Sequence, residues 1–234
     1  CSNKIDNQLT LDNTLVTNAT AVNMVNIYAK FDKYYTIHYD LNGGNLRDGA
    51  TVPNDIENVV IGKTVTLSNP STFATMDNYN ANGYEIVVGE THYEVADSFT
   101  LSSDHVGTTS VVTLYIKWVP KQVKVTLYYA TSISDYNNLA WQTSNMYKDD
   151  GNLYTGTIPY GTIVYLPNLK DLGISDAFSG YTILGYTKDA IEENMLNKID
   201  TVSNDITLGS GGRYMYNVDQ STDVKIYMVL TSSQ

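Results

Sequence analysis

The chain is poor in cysteine, in positive charge and in long apolar runs. Its 234 residues include one cysteine, so no disulfide can form within the chain. The 25 acidic residues outnumber the 14 basic ones, which gives a formal net charge of −11. A surface for nucleic acid or anionic lipid needs a cationic patch, and this balance argues against both. No apolar run is long enough to span a bilayer, so any membrane attachment must be covalent or lie outside these residues.

Motifs of the common catalytic and nucleotide-binding sites are also missing. The three histidines, His38, His92 and His105, are scattered along the chain. His38 falls on the polar phase of an alternating segment, which is typical of a solvated strand face. Asp149-Asp150-Gly151-Asn152 lacks the oxygen spacing and closing Glu of a calcium loop and is predicted to form a turn. The sequence therefore predicts no enzyme, no catalytic residue, no cofactor and no metal site.

One strand ending occurs three times along the chain. The three copies are Val25–Phe31, Val112–Trp118 and Val224–Leu230. In each copy the first, third, fifth and seventh residues are apolar and the fourth is tyrosine. This alternation predicts a half-buried strand, and its recurrence predicts an array of similar units. Trp118 shares the apolar phase of its copy and is predicted to be a core residue.

The segments around these endings repeat as well, so the chain divides into two units and a leading fragment. A shorter strand precedes each ending, at Leu9–Leu11, Phe99–Leu101 and Ile206–Leu208. The predicted boundaries are 1–33 for the leading strands, which we expect to pack on the next unit, 34–119 for module 1, and 120–234 for module 2. The linker Val119–Gln122 is very short and contains a proline, so we expect the two modules to form a semi-rigid rod.

Several short motifs give the two units a family resemblance. Module 1 carries Asn42-Gly43-Gly44 and Leu114–Trp118, and module 2 carries Tyr160-Gly161-Thr162, Leu166-Pro167 and Gly180–Tyr186. Together these motifs resemble the Listeria–Bacteroides repeat, also called the internalin B-repeat. Neither unit has the whole pattern. Module 1 lacks the Gly-aromatic pair at Glu85–Val88, and module 2 lacks the double glycine and ends in Tyr227–Leu230.

The resemblance implies a small β-grasp-like module found in tandem on secreted and cell-surface bacterial proteins. Such modules are not enzymes and act as spacers, adhesive repeats or partner-binding units. The expected location is thus extracellular, at the bacterial cell envelope. The expected partner is a host or bacterial surface protein or a glycan.

The residues themselves predict a mostly β fold with a minor α component. Tyr, Thr, Val and Ile are abundant, and turn signals separate the short strands. One short helix is expected in module 2, at Asp189–Ile199. An Asp residue begins this segment, acids lie in its first turn, and Ile191, Met195, Leu196 and Ile199 fall on one helical face.

The position of the lone cysteine has two interpretations. Cys1-Ser2-Asn3 resembles the start of a mature bacterial lipoprotein, in which the cysteine carries lipid. Cys1 would then be the lipid attachment site and the only link to a membrane. The alternative is a tag remnant or an arbitrary boundary within a longer surface protein.

Tyrosine and tryptophan supply the candidate ligand-binding residues. The chain has 20 Tyr and 2 Trp, and an expanded loop of module 2 contains Tyr136, Trp141, Tyr147, Tyr154 and Tyr160. Exposed rings of this kind stack on sugars and anchor protein interfaces. The alternative function is therefore a carbohydrate-binding module that uses Trp141, Tyr136, Tyr147 and Tyr154. The competing interpretation is that the rings cover a thin core or pair across strands.

Overall fold

The computed structural model describes residues 32–147, 153–154 and 156–233. Strands make up 45% of the described residues and helical residues 11%, so the prediction of a mostly β fold is confirmed. In the described part, no helix is long and apolar enough to cross a bilayer. The leading strands predicted within 1–33 and the proposed lipid site at Cys1 lie outside the described residues, except for the last two positions of that range.

Module 1 is built around one mixed sheet. Its strands are β1 (Tyr35–Asp40), β2 (Asn45–Leu46), β3 (Ile56–Val59), β4 (Thr64–Thr66), β5 (Ala74–Thr75), β6 (Tyr79–Val88), β7 (Thr91–Val95), β8 (Ser98–Thr100) and β9 (Val111–Pro120). The main sheet has the order β3-β1-β9-β6-β7, and small ladders form between β2 and β5 and between β4 and β8. A one-turn helix, α1 (Pro70–Phe73), precedes β5, and a 3-10 turn covers Ser103–His105.

The first and last strands of module 1 lie side by side at the centre of the sheet. β1 and β9 run parallel, with Thr36 opposite Val111 and Asp40 opposite Tyr115, and their other partners run antiparallel. Alternate residues of both strands point into one core, where Ile37 and the even-numbered residues Val112–Ile116 are buried. The alternation predicted from the sequence is thus confirmed in this strand.

Module 2 repeats this arrangement. Its strands are β10 (Gln122–Val123), β11 (Val125–Tyr129), β12 (Gln142–Ser144), β13 (Ile158–Pro159), β14 (Ile163–Leu166), β15 (Tyr181–Thr187), β16 (Ile206–Leu208), β17 (Tyr214–Asn217) and β18 (Val224–Ser232). The main sheet has the order β12-β11-β18-β15, and β11 and β18 are again parallel neighbours at its centre. Helix α2 (Ile133–Asn137) and 3-10 turns at Ser175–Phe178, Ile199–Thr201 and Ser210–Gly212 occupy the connections.

Equivalent backbone hydrogen bonds show which residues of the two modules correspond to each other. Gly62 N–H donates to the Leu101 carbonyl at 2.7 Å, and Gly161 N–H donates to the Val218 carbonyl at 2.8 Å. Both glycines have positive φ, 90° and 81°, in the turn before β4 and before β14. Gly62 and Gly161 therefore occupy equivalent positions in the two modules, which is what an internal repeat requires.

The prediction of a helix at Asp189–Ile199 is wrong. This segment is an irregular connection, and the α-helix of module 2 lies instead at Ile133–Asn137. Two asparagines explain the difference. Asn194 accepts a hydrogen bond from the Leu196 backbone, and Asn197 adopts a left-handed conformation and accepts one from Ser232 N–H. Side-chain bonds of this kind compete with the helical backbone.

The same irregular segment covers the outer face of the module 2 sheet. Ile191 and Tyr227 are buried there with Val229, and Met195 packs against them. The fit is close at Gly185, where a Cβ would collide with the Val202 side chain. The equivalent residue of Tyr227 in module 1 is Tyr115, which is only half-buried. One position in the repeated strand thus has two environments.

Trp118 lies at the edge of the module 1 core rather than inside it. The indole is half-buried, packs on the core, and donates to the Leu41 carbonyl at 3.0 Å. Gly44 approaches the ring so closely that a Cβ there would overlap it. The Asn-Gly-Gly motif therefore leaves room for the tryptophan of its own module.

Gly44→Ala is expected to lower the unfolding free energy by about 1–3 kcal/mol, because the indole must move and its hydrogen bond to Leu41 must lengthen. Urea unfolding followed by tryptophan fluorescence measures this change. Gly107→Ala is the matched control, since a Cβ there meets open space. Equal effects of the two substitutions would contradict the packing argument.

Candidate functional site

Tyr136, a predicted ligand-binding residue, is a core residue. It lies on α2 and only 1% of it is exposed. Its hydroxyl oxygen accepts a hydrogen bond from Leu230 N–H at 3.2 Å, and burial raises the pKa of the hydroxyl. A ring enclosed in this way has no face for a sugar, so the prediction for Tyr136 is corrected here.

Trp141 packs between two other rings. It is half-buried, and its indole meets Tyr136 edge-on at 5.6 Å and Tyr227 edge-on at 5.7 Å between ring centroids. These contacts join the main core of module 2 to the cluster on the outer face of its sheet. The competing interpretation, in which the rings cover a thin core, fits Trp141 better than a sugar platform does.

The remaining candidates are dispersed. The Tyr147 ring lies under the Arg213 guanidinium at 4.6 Å, and its backbone pairs with Tyr165. The Tyr154 ring packs on the module 2 core, and Tyr154 N–H donates to the Met146 carbonyl. The structure brings Tyr136 and Trp141 together, but it does not assemble the four predicted residues into one exposed surface.

A shallow groove in module 2 was not predicted from the sequence. Its volume is about 430 Å³, and its lining includes Asn168, Lys170, Thr182, Leu208 and Tyr214. The lining residues come from the connection between β14 and β15, from β15 and β16, and from β17 with the turn before it. No local motif joins them, so only the tertiary structure could reveal the groove.

An ion pair lies beside this groove, between sequence neighbours of the lining residues Lys170 and Gly212. The Arg213 guanidinium donates two hydrogen bonds to the Asp171 carboxylate, at 2.7 and 2.9 Å. Asp171 also accepts a hydrogen bond from Asn168 N–H at 3.1 Å. The hydrogen bond from Arg213 is the largest cause of a lowered pKa for Asp171. Forked arginine–carboxylate pairs of this type hold two segments in a defined geometry.

Two of the three histidines, His38 and His92, make surface pairs. His38 is exposed, as its phase in the strand predicted, and its Nδ1 lies 2.9 Å from an Asp55 oxygen. His92 Nδ1 lies 2.8 Å from a Glu85 oxygen. Within the described ranges, no three His, Cys, Asp or Glu side chains gather as a metal ion would require.

The two modules are joined by a single residue that is hydrogen-bonded to both of them. β9 ends at Pro120 and β10 begins at Gln122, which leaves one residue between them. That residue, Lys121, donates its N–H to the Asn78 carbonyl of module 1 and accepts a bond from Tyr160 N–H of module 2, each at 2.9 Å.

An aromatic pair closes the junction. The rings of Tyr79 in module 1 and Tyr160 in module 2 meet edge-on, 5.8 Å apart. Tyr160 was one of the aromatic residues noted in the sequence, and its place in the structure is between the modules. Edge-on ring pairs stabilise by about 0.5–1.5 kcal/mol beyond the burial of their area.

No protein-family model matches the chain, and no curated protein matches it. The resemblance to the Listeria–Bacteroides repeat therefore stays a prediction from the motifs.

Asp171 gives a pH prediction. Its pKa is lower in the folded protein than its ordinary value of 3.8, so its contribution to stability is present above that value and is lost as the pH falls through the folded pKa. Asp171→Asn is expected to cost about 1–3 kcal/mol at neutral pH, because Arg213 loses a charged partner. Below pH 3.8 the difference in unfolding free energy between Asp171→Asn and the wild type should become smaller.

Denaturant unfolding at pH 7 and at pH 3 measures this difference. Asp205→Asn is the control, since Asp205 is an exposed carboxylate that pairs with Lys188. A gap between Asp171→Asn and the wild type that did not change with pH would contradict the assigned role of the ion pair.

The Tyr79–Tyr160 pair gives a prediction about the arrangement of the modules. Tyr160→Ser removes the ring contact and should broaden the distribution of distances between the modules in small-angle X-ray scattering, with no change in the circular dichroism spectrum. Tyr115→Ser, which changes a half-buried tyrosine outside the junction, should leave the scattering as it is. Freely reorienting modules in the wild type would refute the semi-rigid rod.

Proposed function

We propose that this chain is a non-catalytic spacer of a bacterial cell-surface protein, whose modules span distance and bear tension. The parallel pairing of the first and last strand in each module carries the proposal. The motif resemblance supports the surface location, since repeats of that kind occur on secreted and surface proteins.

The direction of the strands decides how a module responds to force. In module 1 the chain enters at the start of β1 and leaves at the end of β9, and these two strands are parallel neighbours. Tension between the two ends slides one strand along the other. The hydrogen bonds of the ladder, which spans five residue pairs, are then loaded together and not one after another.

Module 2 has the same mechanical geometry. β11 and β18 form a parallel ladder of four residue pairs, from Val125 opposite Val224 to Tyr128 opposite Tyr227. Val123, just before β11, is tied to Ile158 by the β10–β13 pair. The one-residue linker passes tension from β9 into β10 without a flexible segment that would extend first.

The structure favours a spacer over a carbohydrate-binding module at the predicted residues. Tyr136 is buried, Trp141 packs against other rings, and Tyr147 lies under Arg213. A sugar platform needs exposed ring faces in one plane, and these side chains do not supply one. The fold favours tension-bearing directly, because its central ladders connect the points where the chain enters and leaves.

Force spectroscopy on single molecules tests the proposal. Cysteine handles at Lys33 and Lys121 load β1 against β9 in shear, whereas handles at Lys33 and Ser110 pull the same two strands apart from one end. Both pairs are placed in a Cys1→Ser background. We expect module 1 to unfold at a force several times higher in the shear geometry, since forced unfolding follows the unfolding barrier. Equal forces in the two geometries would refute the load-bearing role.

A further inference from the structure

We infer that two copies of this chain associate head to tail, through surfaces at the two ends that repeat the two halves of the module junction. The head surface is the turn around Ile61 in module 1. The tail surface is formed by Tyr181 and the end of β18 in module 2. The inference depends on the module junction and not on the proposed load-bearing role.

Ile61 is the equivalent of Tyr160. Each residue directly precedes the positive-φ glycine of its module, Gly62 or Gly161, and those glycines make equivalent hydrogen bonds. The strand just before the turn also pairs in the same way in both modules. Val59 lies opposite Tyr35 in module 1, and Ile158 lies opposite Val123 in module 2.

Tyr181 is the equivalent of Tyr79. Each begins the strand that runs antiparallel to the last strand of its module, with Tyr79 opposite Pro120 and Tyr181 opposite Ser232. The carbonyl of the residue before each tyrosine also accepts an equivalent hydrogen bond. Lys121 N–H donates to the Asn78 carbonyl at 2.9 Å, and Ser233 N–H donates to the Gly180 carbonyl at 2.7 Å.

The junction inside the chain shows what these two positions do when they meet. There the Tyr79 position of one module contacts the Tyr160 position of the next through an edge-on ring pair. At the outer ends the same positions hold Ile61, which is 50% exposed, and Tyr181, which is half-buried. An isoleucine against a tyrosine ring keeps the contact apolar.

A contact between unlike surfaces is heterologous, so a dimer still has one unused head surface and one unused tail surface to which further copies can bind. Within the chain, the one-residue linker holds the two halves together at high effective concentration. Copies in solution lack that linker. We therefore expect weak association, with a Kd on the order of 0.1–1 mM. The net charge of −11 makes the copies repel each other, so association should strengthen as salt screens this repulsion.

Analytical ultracentrifugation of the whole chain tests the inference. We expect the weight-average mass to rise with protein concentration, up to about 1 mM, and to rise further at higher salt. Ile61→Ser and Tyr181→Ser should each abolish the rise, with folding checked by circular dichroism. Ile163→Ser is the matched control, because Ile163 is 53% exposed and belongs to neither surface.

Mixing the two variants separates head-to-tail contact from a symmetric one. The Ile61→Ser copy keeps its tail surface and the Tyr181→Ser copy keeps its head surface. Their mixture should therefore form a dimer and nothing larger, although each variant alone stays monomeric. Association of either variant with itself, or no association of the wild type, would overturn the inference.

A thiol at the head surface tests whether another part of the same chain already covers it. In a Cys1→Ser background, Lys63→Cys places a thiol at an exposed position beside Ile61 and keeps the isoleucine. It should react rapidly with a maleimide at low protein concentration and about twofold more slowly near 1 mM protein, where about half of the head surfaces are occupied. Slow labelling that did not depend on concentration would mean that the surface is covered within one molecule. That result would overturn association between copies.

Discussion

The parallel pairing of the first and last strand in each module is the constraint on which the rest of the structure depends. It brings residues separated by more than seventy positions, such as Ile37 and Val112, into direct register. Every other segment of the module must then leave this pair and return to it. The pairing also places the entry and exit of the chain at opposite ends of the ladder, so the second module continues where the first one stops. The tension-bearing geometry and the short junction both follow from this arrangement.

The modules differ where their long connections differ. In module 2 the connection between β15 and β16 folds over the outer face of the sheet and buries Tyr227, whereas Tyr115 at the same position of module 1 stays half-buried. A second hydrophobic cluster therefore exists in module 2 that has no counterpart in the described part of module 1. Trp141 lies between this cluster and the main core, which explains why an aromatic residue outside any strand pattern is present at all.

Sequence reasoning succeeded for strands and failed for connections, and the physical cause is the range of the interactions involved. Alternation in Val112–Trp118 reports burial directly, because neighbouring residues of a strand face opposite sides. The apolar spacing of Asp189–Ile199 suggested a helix, but Asn194 and Asn197 use their side chains to bond the backbone and Asn197 takes a left-handed conformation. The apolar residues of that segment do not share one environment, since Ile191 is buried and Ile199 is 65% exposed. The aromatic site failed for a related reason, since ring content alone does not say which neighbour a ring will meet.

The sequence by itself determined that this chain is mostly β, that it contains a repeated strand ending and that its two units are joined by a minimal linker. Those features can be recognised from the local alternation of apolar and polar residues and from segments that recur along the chain. Only the tertiary structure decided that the repeated strand is the centre of each sheet, that Tyr136 and Trp141 are packing residues, and that Tyr160 belongs to the module junction. Each of these depends on contacts between residues far apart in sequence, and such contacts are fixed by how the strands pair and pack.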